Sequence, residues 1–84
     1  MLYNDEKEVF RGWLIEHKKI NRKVAGDILS RVNRASKIID VNDLNSTAHL
    51  ISDLISSVEF KVLTVSVRSQ IKRSVILYRE FKKM

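Results

Sequence analysis

The side chains best suited to chemistry in this sequence are cationic, and four of them fall on one helical line. Arg68, Lys72, Arg79 and Lys83 follow one another at spacings of four, seven and four residues. That spacing sets them along one side of an α-helix over roughly four turns. A cationic ridge of this kind neutralises successive phosphates of a polyanion. A second group, Lys18, Lys19, Arg22, Lys23, Arg31, Arg34 and Lys37, crowds residues 17–40 against only Asp27 and Asp40, net +5. Residues 61–84 hold seven Lys or Arg against Glu80, net +6, whereas residues 1–16 and 41–60 are net −2 and −3. Cations that merely keep a chain soluble are ordinarily interspersed with acids. Their segregation here points to a surface that meets nucleic acid.

Other chemistry finds little to build on. The chain has no cysteine, which excludes a disulfide scaffold and a thiolate metal site. It has no glycine-rich phosphate loop, no paired Cys/His spacing and no nucleophile elbow. His17 and His49 fall on different helices, the first at the edge of an apolar face and the second exposed. Asp5 and Glu8 read as a helix cap rather than an acid–base pair. No catalytic residue, metal or cofactor is therefore expected. Tyr3, Phe10, Trp13, Phe60, Tyr78 and Phe81 recur at core spacing. Tyr3 and the hydroxyl end of Tyr78 are the aromatic groups left for base stacking.

These residues must be positioned by helices. With 84 residues, no proline and only Gly12 and Gly26 as glycines, the sequence predicts a single domain over 1–84. The expected class is all-α, a compact orthogonal bundle of four to five short helices. The first helix runs from about Asp5 to Lys18, with Phe10, Trp13, Leu14 and His17 on one face. The second starts after an Asn21 cap and runs to about Ile39, with Val24, Ile28, Val32, Ala35 and Ile39 as its stripe and Ala25 and Leu29 beside it. Asp27 stands four residues from both Lys23 and Arg31, within pairing distance of either. The third runs from Asn42 to about Ser57 with Leu44, Ala48, Ile51, Leu54, Ile55 and Val58 inward. Residues 58–65 read as an ordered loop that tucks Phe60 and Leu63 into the core. The last helix starts at Thr64 or Ser66 and runs to about Lys82, burying Val67, Ile71, Val75, Tyr78 and Phe81. Ile15 and Ile76 fall outside the core faces. No apolar run approaches the ~18 residues of a membrane span, and the N-terminal stretch is acidic, so a cytoplasmic location is expected.

The order of these residues resembles a known family. Phe10-x-x-Trp13-Leu14 is followed by a basic stretch and then by Val24-Ala25-Gly26-Asp27-Ile28-Leu29-Ser30-Arg31-Val32-x-Arg34. The chain closes with Thr64-Val65-x-Val67-Arg68-Ser69-x-Ile71-Lys72-Arg73-Ser74-Val75-x-x-Tyr78-x-x-Phe81. This pattern is similar to the SAM-like core-binding domain of phage integrases and other tyrosine recombinases. Two features depart from the family: the second helix lacks its usual tyrosine, and its Arg, His-x-x-Arg and Tyr catalytic constellation has no counterpart. Tyr78 belongs to a packing stripe and is not that nucleophile. The resemblance implies a domain of DNA recombination and integration that grips one face of duplex DNA through its backbone, without strand chemistry. It assigns phosphate contacts to Arg68, Lys72 and Arg79 on the last helix and to Lys23, Arg31 and Arg34 on the second.

The sequence thus leads to a non-catalytic DNA-binding domain in which Lys19, Arg22, Lys23, Arg31, Arg34, Lys37, Arg68, Lys72, Arg79 and Lys83 meet duplex phosphates. The alternative is a helical protein–protein or homodimerisation module, such as a phage-encoded inhibitor or adaptor, with Ile76 at the partner contact.

Overall fold

Short polar side chains decide where the helices begin. Asn21 Oδ1 accepts the Val24 N–H at 2.9 Å, Ser46 Oγ accepts His49 N–H at 3.1 Å, and Thr64 Oγ1 accepts Val67 N–H at 3.3 Å. Each satisfies an N–H that the first turn leaves without a partner. A computed structural model describes residues 4–83, with side chains from Glu6 onward. Its helices are α1 (Asn4–His17), α2 (Arg22–Ala35), α3 (Thr47–Ser56), the single turn α4 (Val58–Lys61) and α5 (Val65–Lys82). The chain is all-α, as the composition predicts, and its described residues contain no strand. Tyr3 and the Asp5 side chain, expected to stack and to cap, lie outside the described residues. Glu8 pairs with Arg11 at 2.9 Å.

The core forms where α1, α2 and α5 meet. Phe10, Trp13 and Leu14 of α1 pack with Ala25, Ile28, Leu29, Val32 and Ala35 of α2 and Ile71, Val75, Leu77 and Tyr78 of α5. The rings interlock: Phe10 lies 5.4 Å from Tyr78 edge-on and 5.1 Å from Phe81, and Trp13 lies 5.7 Å from Phe81. Such pairs add about 0.5–1.5 kcal/mol beyond area burial. Phe60 is buried and Leu63 packs against the core. The segment expected to be a loop therefore tucks in the expected side chains, and it does so through a helical turn.

The largest departure from the sequence reading lies between α2 and α3. The second helix ends at Ala35 rather than Ile39. Ser36 Oγ donates to the Asn33 carbonyl at 2.6 Å, and the chain unwinds so that Val41 becomes buried and Ile38 and Ile39 pack on the core. The third helix starts at Thr47 rather than Asn42. Asp40 Oδ1 accepts Asn42 N–H at 3.0 Å and Asp43 Oδ1 accepts Asn45 N–H at 2.8 Å. These local bonds offer the backbone an alternative to helix. Leu44, expected in the core, is consequently 102% exposed, and Ala48, Ile55 and Val58 are exposed as well. Val24 sits at the edge of its stripe and is also exposed, whereas Ile15, expected outside, packs against the core.

Candidate nucleic-acid interface

Burial of one α2 face turns the other outward. With Ala25, Ile28, Leu29, Val32 and Ala35 inside, Lys23 and Arg34 project to solvent, Lys37 follows just beyond the helix, and Arg22 opens its first turn; all four are exposed. Arg31, nearer the core edge, is half-buried. Among the described residues the ion pairs are Arg11–Glu8, Lys18–Glu80, Lys82–Glu6 and His49–Asp53. None of Lys19, Arg22, Lys23, Arg31, Arg34 or Lys37 takes part in them. Asp27, expected to pair with Lys23 or Arg31, pairs with neither. The α2 surface is thus a cationic ridge with no ion-paired carboxylate.

Lys19 stands at an unusual backbone position. Its φ is 55°, in the left-handed region where α1 stops, and Ile20 N–H closes back on the Leu14 carbonyl at 3.1 Å. A side chain there costs roughly 1 kcal/mol relative to glycine. Lys19→Gly is expected to raise the melting temperature by about 4–8 °C in a circular-dichroism melt.

The α5 stripe does not form the free ridge its spacing predicts. Arg79 is built into the fold: its Nη1 donates to the Val41 and Asp43 carbonyls at 3.0 and 2.7 Å, and its Nη2 to the Asn45 carbonyl at 2.7 Å. Its Nε lies 3.5 Å from Thr47 Oγ1. The guanidinium ties the α2–α3 loop to α5 through these bonds, which engage the groups that a phosphate contact would use. Arg68 and Lys72 are half-buried, and Arg68 Nε is buried without a hydrogen-bond partner. α3 packs against α5, and its leading loop is bonded to Arg79 on the same stripe. Lys83 is exposed at the end of the helix. Ile76 is 47% exposed, as its angle on the helix requires.

Titratable groups with altered chemistry gather elsewhere. The buried Tyr78 hydroxyl lies 2.5 Å from Glu6 Oε1, to which it donates, and 2.7 Å from Asn42 Oδ1, and Lys82 Nζ donates to Glu6 Oε2 at 2.7 Å. Burial pushes the Glu6 carboxyl up, but the Lys82 and Tyr78 hydrogen bonds and the Lys82 charge outweigh it and hold the carboxyl low. Burial first, and then the Glu6 bond, push the Tyr78 hydroxyl well above its ordinary value. That shift runs opposite to what an activated phenolate nucleophile needs, and the burial of Tyr78 leaves it no exposed ring for base stacking. His17 and His49 are both exposed, and no group of three His, Cys, Asp or Glu among the described residues is placed to hold a metal ion. Among the described residues, no helix is long and apolar enough to cross a membrane.

Sequence reasoning missed a cleft between α1 and α2. Lys7 and Arg11 form one wall and Gly26, Leu29, Ser30 and Asn33 the other, around a space of about 170 Å³. The available signal was a pair of facing four-residue spacings, Lys7–Arg11 and Gly26–Ser30. It was hidden because Lys7 and Arg11 sit in a net-acidic segment.

Comparison of the chain with protein-family models, with curated proteins and with solved structures finds no match.

Proposed function

We propose that this chain is a non-catalytic DNA-binding domain that holds the phosphate backbone of a duplex through α2. Lys19, Arg22, Lys23, Arg34 and Lys37 carry most of the contact, and Lys72, Lys83, Arg31 and Arg68 contribute at its margins. The observation behind this reading is that all five principal cations are exposed and none forms an ion pair among the described residues. Unpaired cations release the counterions of a polyanion, and that release drives backbone binding. The resemblance to the recombinase core-binding domain supports the same assignment for Lys23 and Arg34. Sequence readout is limited in this reading, because the cations are assigned to phosphates rather than to base edges.

The reading is tested by fluorescence anisotropy with a labelled random-sequence duplex. If about four to six phosphates are neutralised, log K falls against log salt with a slope near −4 to −5, a loss of several hundredfold between about 50 and 200 mM salt. The pair Lys23→Glu and Arg34→Glu should flatten that slope by about 2. Absence of binding at about 50 mM salt sinks the reading.

A second reading has its own observation. Ile76 and Val65, 47% and 70% exposed, lie on one side of α5 beside Lys72. That line suits a protein partner or a second copy. In that case Ile76→Ser abolishes association in sedimentation experiments and leaves duplex binding unchanged.

A further inference from the structure

The cleft between α1 and α2 has a polar lining that the fold itself does not use. Arg11 Nε and Asn33 Oδ1 are both buried and both lack a hydrogen-bond partner. The residues Arg11 and Asn33 line opposite walls of the cleft. Lys7 and Arg11 on one wall and Ser30 and Asn33 on the other give the cleft polar side chains on both sides. Arg11 Nη1 donates to Glu8 at 2.9 Å, and its Nη2 amino group has no such bond among the described residues. Lys7 forms no ion pair among the described residues, and no carboxylate lines the space. Ser30 adds a hydroxyl. Asn33 can present either its oxygen or its amide N–H₂, since the two ends exchange by rotation.

Size and backbone agree with the chemistry. About 170 Å³ far exceeds the ~10–15 Å³ that one water needs. Gly26 stands in the middle of α2, where alanine is the better helix former, yet a Cβ there would meet nothing within 4 Å. The glycine leaves the α2 backbone open to the cleft at that point. Lys23, Arg34 and Lys37 stand three or four residues from Gly26, Ser30 and Asn33, so the cleft opens onto the α2 ridge.

We infer that the α1–α2 cleft is a phosphate-binding site, with Arg11 and Lys7 as the cationic clamp and Ser30 and Asn33 as neutral donors. It seats one backbone phosphate of the duplex that crosses α2, an assignment that rests on the DNA-binding reading. A guanidinium with a nearby ammonium and hydroxyl suits phosphate geometry and charge.

The test uses two ligands on the full chain. Inorganic phosphate is titrated against chloride at matched ionic strength, with the amide resonances of Gly26, Ser30 and Asn33 as reporters. Saturable shifts at these amides are expected, and Arg11→Gln and Lys7→Gln should each remove them while the melting temperature stays within a few degrees. In the duplex titration each variant should weaken binding about tenfold and reduce the salt slope by about 1. Phosphate shifts in the cleft together with a duplex response that both variants leave unchanged would confine the site to free phosphate or a phosphate ester, overturning the duplex assignment. Phosphate shifts without any duplex binding would keep the site and overturn the DNA reading. Duplex binding with cleft amides that ignore phosphate would overturn the site and leave the DNA reading standing.

Discussion

Phe10→Ala is expected to lower the melting temperature by at least about 12 °C in a circular-dichroism melt, the largest loss from any single truncation proposed here. Phe10 has no exposed surface and lies within 5.1–6.2 Å, ring to ring, of Trp13, Tyr78 and Phe81. Removing a buried phenyl costs about 3–5 kcal/mol, combining lost transfer energy with the cavity left behind. A domain of this length has a total stability of roughly 4–13 kcal/mol. The substitution therefore removes roughly a quarter or more of it and leaves little or no stability at the lower end of that range. Val9→Ala, at a neighbouring position 61% exposed, should stay within about 0.5 kcal/mol of the parent. A loss under about 1 kcal/mol for Phe10→Ala would mean that α1 does not seat on α5.

Arg79→Ala should cost about 2–3 kcal/mol, and Arg79→Lys should recover less than half of that. The guanidinium donates to three backbone carbonyls from two nitrogens, at 2.7–3.0 Å. Hydrogen bonds to a charged donor are worth more than neutral ones, although the exposed Asn45 carbonyl regains water when the arginine is lost. Lysine keeps the charge but is a point donor, and it cannot span the same fork. Amide hydrogen exchange should show the effect as lost protection over residues 41–47. The lysine variant also separates two roles. If Arg79 served as a phosphate contact, Arg79→Lys would retain duplex affinity and cost no stability. A scaffold role gives the reverse order, with stability lost and affinity per folded molecule little changed.

The sequence made the helices and most of the core legible because apolar spacing and side-chain caps act locally. Asn21 and Thr64 cap where their positions ahead of apolar stripes require. Ile28, Val32, Ile71, Val75 and Tyr78 are buried as their spacing predicts. The stretch from Ser36 to Ser46 was illegible for a physical reason. Its Asp, Asn and Ser side chains can cap a helix or close a turn, and the choice depended on drawing Val41 inward and on a guanidinium arriving from a residue more than thirty positions later. The same contact misled the reading of the basic stripe. Helical spacing shows that Arg79 is aligned with Arg68, Lys72 and Lys83, but not which neighbour occupies that side of α5. The ridge on α2 was legible because no neighbour covers it. The cleft was not, since each wall belongs to a different helix and only tertiary packing sets them face to face.

The clasp of Tyr78, Glu6 and Lys82 joins residues 72 and 76 positions apart. During synthesis the chain emerges N-terminus first, so α1 leaves the ribosome with Phe10, Trp13 and Leu14 uncovered and with none of its α5 partners yet made. At about 5–20 residues per second, the span from the end of α1 to the end of α5 takes roughly 3–13 s. Throughout that interval the first helix has only α2 against which to shelter its apolar face. Nascent chains stalled before Tyr78 should therefore be open to proteases and bound by chaperones, and those in which all of α5 has emerged should close as one unit.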